Sequence, residues 1–161
     1  WFCYATLIIL GWGVLFKKNK LIVSQLNILA IPMIIWTIDF LYLLITNEPL
    51  MGITDYFFFQ GGIFRKVITL QHVFTLPLAL FVLFYIGIKE KDSWKISLSE
   101  GFIFYFISLV FTTQEANINC IYRSCLGFTI PVIPYWITWF VAFILMIFVT
   151  NWTLNKLFLR K

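Results

Sequence analysis

The sequence predicts an all-α, polytopic transmembrane helix bundle of about five spans, with its N-terminus outside and its C-terminus inside. Three observations predict it. The 161 residues are 61% apolar and only 12% charged, against about 25% charged in soluble domains. The apolar residues fall in five long runs separated by polar breaks. Nine of the 12 lysines and arginines lie in three clusters, Lys17/Lys18/Lys20, Lys89/Lys91/Lys95 and Lys156/Arg160/Lys161, on alternate breaks. Basic residues concentrate on the cytoplasmic side of membrane proteins, so alternate breaks carrying the positive charge define one face of the bilayer.

The runs cover residues 1–16, 21–46, 67–88, 97–113 and 134–154, against about 20 residues needed to cross a bilayer. The first carries no charge and stops at the turn Lys17-Lys18-Asn19-Lys20. In the second, Gln25, Pro32, Asp39 and Thr46 recur every seven residues and share one helix face, which is expected to point inward. The third holds Thr69, the single histidine His72 and Thr75 within one arc that continues through Leu76, Ala79 and Leu83. It ends at the polar stop 89–95. The fourth carries a stripe of small and hydroxylated residues, Gly101, Tyr105, Ser108 and Thr112, running on to Glu115, as expected for close helix contact. Glu100, at the start of this run, reads as a favourable charge at a helix N-terminus. The fifth runs to the last basic cluster. Tryptophans and tyrosines cluster near the run ends, as they do at membrane interfaces.

Two connections, 47–66 and 114–133, fall on the outer side. The first is apolar and aromatic but broken by Pro49, Gly52, Gly61 and Gly62, so it is expected to lie on or dip into the interface, with the Gly61-Gly62 pair turning the chain. The second holds Cys120 and Cys125, read either as a disulfide closing a tight loop or as two free thiols. There are no internal repeats, so a single integral domain over 1–161 is the economical reading.

Candidate chemistry collects near the outer surface. Asp39 and His72 are each expected roughly 8–10 Å below it at 1.5 Å per residue. They read either as a catalytic pair, the carboxylate orienting the imidazole as acid or base, or as a structural interhelical hydrogen bond. Glu115, Asn117, Asn119 and Arg123 arrive from the second connection as candidate substrate-binding groups, with Arg123 suited to a phosphate or carboxylate. The two asparagines equally suit turns and helix caps. One histidine without HxxxH or HxxE spacing predicts no metal site, and no cofactor motif is present. The net charge of +5 sits in short juxtamembrane clusters, which points to membrane lipids as partners and not to nucleic acid.

The stretches Trp36-Thr-Ile-Asp39-Phe-Leu, Gly52-Ile-Thr-Asp55-Tyr, His72 followed by Phe74-Thr-Leu-Pro77-Leu, and Glu115-Ala-Asn-Ile-Asn119 resemble a group of bacterial multi-pass membrane proteins of unknown function. The resemblance implies a multi-pass fold and no particular activity. The sequence therefore supports, in order, a binding or assembly component of an envelope complex in the cell membrane, partnered by other subunits or by copies of itself. A membrane-embedded hydrolase or transferase on a lipid or lipid-linked substrate comes second, and a small transporter subunit third.

Overall fold

The structure is a computed structural model that describes residues 2–59, 62–126 and 132–159. Its regular elements are all helical: α1 (Phe2–Leu15), α2 (Asn19–Thr46), α3 (Asp55–Phe59), α4 (Ile63–Ile86), α5 (Trp94–Phe111), a short 3-10 turn (Ile118–Cys120) and α6 (Tyr135–Phe158). Helices α2, α4, α5 and α6 are each long and apolar enough to cross a membrane. Helix α1 has 14 residues, about 21 Å at 1.5 Å per residue, short of the roughly 30 Å hydrocarbon layer. The expected turn at Gly61, and Arg160 and Lys161 of the third basic cluster, lie outside the described residues.

The helix ends follow local chemistry. Lys17 and Asn47 take positive φ where α1 and α2 stop, and Gly87, with φ 67°, ends α4. Asn47 is in the left-handed conformation that commonly closes a helix, its amide donating to the Leu43 carbonyl. Helix α6 runs four residues beyond the predicted 134–154. Its last turn carries Lys156, a favourable charge against the helix dipole, whose Nζ lies 5.1 Å from the Trp152 ring centre.

Helix α2 is the axis of the bundle, packed against α1, α4, α5 and α6. On one side Leu10, Ile22, Val23, Leu26, Ala79, Leu83, Ile88 and Leu154 form a buried cluster. On the other, Ile28, Phe143 and Ile147 pack with Phe2, Trp94, Leu98 and Trp139. Lipid is as apolar as these side chains, so such packing gains mainly van der Waals contact, which favours small residues where backbones approach. Gly13 is one: a Cβ there would stand 3.0 Å from the Ile22 side chain. Gly101 is the other, facing Phe143. The predicted stripe is visible here, with Gly101, Tyr105 and Ser108 all buried.

The Lys17/Lys18/Lys20 turn, the 89–95 turn and the end of α6 meet at one end of the bundle. Lys20 pairs with Glu90 at 2.8 Å and Asp92 at 2.9 Å, and the Ile88 amide donates to the Phe158 carbonyl at 2.9 Å. The Lys20 ammonium holds the Asp92 carboxyl below the usual carboxylate range.

Candidate functional site

The opposite end carries the residues singled out from the sequence, and it divides into two clusters. In the first, the chain leaves α2 at Asn47, turns through Gly52 (φ 75°) and folds back over Asp39. The Met51 amide donates to Oδ1 at 2.6 Å, and the Thr54 amide and hydroxyl donate to Oδ2 at 2.9 and 2.7 Å. Asp39 and Thr54 are both fully buried. The carboxylate thus serves as the seat of the first outer connection.

His72 does not pair with Asp39. Its Nδ1 lies 2.8 Å from the Thr69 carbonyl of its own helix. A carbonyl only accepts, so Nδ1 carries the hydrogen. The ring stacks on Trp36, with centroids 4.9 Å apart, and the Trp36 indole donates to the Tyr56 hydroxyl at 3.2 Å. Burial pushes the Tyr56 phenol up from its ordinary value. Helical depth placed Asp39 and His72 at one level, but the loop's amides claim the carboxylate and Trp36 covers the imidazole. Neither the acid-base pair nor the direct interhelical hydrogen bond is formed.

In the second cluster Asn119 joins three helices. Its Oδ1 accepts from the Phe2 amide at 3.1 Å, its Nδ2 donates to Ser108 Oγ at 2.8 Å, and its carbonyl accepts from the Trp139 indole at 3.2 Å. Asn117 organises the loop beyond: its Oδ1 accepts from the Tyr122 and Arg123 amides, and its Nδ2 donates to the Arg123 carbonyl. Both asparagines take positive φ, and Cys120 and Cys125 are joined by a disulfide. Glu115 and Arg123 are exposed. The described contacts do not join Asp39, His72, Glu115, Asn117, Asn119 and Arg123 into one network. Asp39 and His72 belong to the α2–α3–α4 side, Asn119 belongs to the junction of α1, α5 and α6, and no described hydrogen bond, ion pair or ring contact links the two clusters.

Reduction of the Cys120–Cys125 bond is expected to loosen only the second cap. Loop-closure entropy for so short a loop is worth roughly 2 kcal/mol. Hydrogen exchange in reductant should show faster amides at 117–125 and unchanged ones at 51–54.

A further set of polar residues lies within the bundle, toward the basic end. There α2, α5 and α6 bury a polar layer: Ser24, Gln25, Asn27, Ser97, Glu100, Thr150 and Asn151 are all at most 9% exposed. Gln25 Nε2 donates to Glu100 Oε2 at 2.8 Å and to Ser24 Oγ at 3.1 Å. Asn27 Nδ2 donates to Ser97 Oγ at 3.2 Å and Asn151 Oδ1 at 3.3 Å. Three buried oxygens of this layer, Gln25 Oε1, Asn27 Oδ1 and Glu100 Oε1, have no hydrogen-bond partner among the described residues. None of the described ion pairs involves Glu100. A buried acceptor oxygen that lacks a donor is costly in an apolar bundle, and Gln25 and Glu100 each carry one while bonded to each other. Among the described residues no group of three or more histidine, cysteine or acidic side chains could hold a metal.

Glu100 read as a helix-end charge because it sits near the start of an apolar run. Its rotation toward Gln25 places it inside. The seven-residue stripe on α2 was the available signal, since it turned Gln25 inward without naming a partner for it. No protein-family model, curated protein or solved structure matches the chain.

Proposed function

We propose that this is a cell-membrane protein crossing the bilayer five times, N-terminus outside and C-terminus inside, that acts as a non-enzymatic binding or assembly component of a membrane complex. Its binding centre is the layer around Glu100, which takes one monovalent cation, the proton included. The observation that carries this reading is a buried carboxylate whose only described hydrogen-bonding partner is the neutral amide of Gln25, with Glu100 Oε1 and Gln25 Oε1 both lacking donors. An ionisable group held among membrane-spanning helices marks function more often than it marks structure. The gathering of Lys20, the 89–95 turn and the end of α6 at one end supports the orientation through the positive-inside rule. The packing of Thr6, Leu10 and Gly13 of α1 against the bundle supports counting α1 as a crossing. The hydrolase alternative needs a carboxylate at His72, and Asp39 is engaged by Met51 and Thr54.

The test is modification by a membrane-permeant carbodiimide, which reacts with carboxyl groups in apolar surroundings. Wild-type protein in liposomes should be labelled at Glu100, as read by peptide mass, and Glu100→Gln should not. Labelling should fall as pH rises or as a monovalent cation is added. A Glu100 that stays unlabelled throughout, or whose labelling ignores both pH and salt, removes the proposal.

A further inference from the structure

At the basic end, a cleft of about 490 Å³ opens between the start of α5 and the last turns of α6, lined among others by Lys91, Trp94, Phe148, Trp152, Asn155 and Lys156. Lys91 and Lys156 are exposed and take no part in the described ion pairs, which engage Lys20 and Lys95. The cleft is anchored in the bundle: Asn151 Nδ2 donates to the Lys91 carbonyl at 3.4 Å, and the Trp94 ring packs on Phe148 with centroids 5.2 Å apart. Along α6, Phe148, Trp152 and Lys156 follow one another at one-turn intervals, with the Lys156 Nζ 5.1 Å from the Trp152 ring centre, so on that wall the lining passes from a phenyl ring through an indole to an ammonium group.

We infer that this cleft holds the phosphate headgroup of an anionic glycerophospholipid, with Lys91 and Lys156 on the phosphate and the acyl chains descending along Trp94 and Phe148. The inference rests on the membrane reading above and not on the role given to Glu100. An ammonium is a compact charge that meets a phosphate without demanding bidentate geometry, and basic pockets between helices at the cytoplasmic side suit anionic headgroups. A soluble phosphate ester offers the same charge, but it has no use for an aromatic wall that continues into the bilayer.

The test is lipid retention by the purified, delipidated protein, reconstituted with phosphatidylglycerol or phosphatidylcholine and read by native mass spectrometry. Wild type should keep phosphatidylglycerol in preference to phosphatidylcholine. Lys91→Gln/Lys156→Gln should bind it roughly 30-fold more weakly, while Lys17→Gln/Lys18→Gln, which removes the same charge from the same end, should retain it. An equal loss in both double variants would mean diffuse attraction and overturns the site. Displacement of the lipid by millimolar glycerol phosphate assigns the site to soluble esters and overturns the lipid. Resistance of each variant to alkaline carbonate extraction is measured in parallel, so that failure of membrane insertion is seen separately from loss of the site.

Discussion

Gly101→Leu is expected to disrupt the packing of α5 on α6, with a loss of more than about 3 kcal/mol, at or beyond the upper end of overpacking penalties in close-packed interiors. A Cβ at position 101 would already overlap the Phe143 ring. That ring has little room to retreat, since it is 6% exposed, stacks on Trp139 at 5.1 Å and lies 6.2 Å from the Phe2 ring. Gly101→Ala is expected to lose about 1–2 kcal/mol, although glycine to alanine within a helix ordinarily gains about 0.5–1 kcal/mol. The reversal of sign is the diagnostic. Thermal unfolding in detergent measures both, and Phe143→Leu should recover most of the Gly101→Ala loss through strong coupling in a double-mutant cycle. Ordinary alanine stabilisation at position 101 would mean that the two helices do not meet there.

Asp39→Ala is expected to lose on the order of 3 kcal/mol and to release the 47–54 connection. Each hydrogen bond to a charged group contributes about 1.5–3 kcal/mol, and stranded donors add to the cost, but the freed loop recovers water and offsets part of the sum. Amides 51 and 54 should exchange faster, and a protease should cut within 47–54 in the variant before it cuts wild type. Thr54→Val, which removes the one side-chain donor and leaves the backbone amides, should show a minor part of the effect. His72→Ala should add to Asp39→Ala without coupling, because no described hydrogen bond joins the two side chains. Coupling above about 0.5 kcal/mol would reinstate the pair that helical depth alone suggested.

The outcome at Asp39 and His72 shows where legibility ended. Asp39 falls on the inward face its seven-residue spacing indicated, and burial of Gln25 on the same stripe follows from the same periodicity. Thr46, also on that stripe, is exposed because α2 has by then reached its outer end, where its hydroxyl donates to the Tyr42 carbonyl. The candidate chemistry was read at the outer end because charged and polar letters are dense there. Those letters are used in turns: Asn117 and Asn119 hold positive φ and pin helix ends, the work asparagine does well when its side chain bonds the nearby backbone. Glu100, surrounded in sequence by ordinary helix-start residues, gave no comparable sign.

By itself the sequence determined that the chain is helical and apolar enough for a membrane, where most of its long helices begin and end, and which breaks carry the positive charge. These are sums over neighbouring residues, and neighbours are all that such sums require. Only the tertiary structure decided that the Asp39 carboxylate belongs to Met51 and Thr54, that Asn119 ties α1 to α5 and α6, and that Glu100 turns toward Gln25. A polar side chain in an apolar bundle bonds to whatever the rotation of the neighbouring helices brings within about 3 Å, and that rotation is set by contacts between residues far apart in the chain.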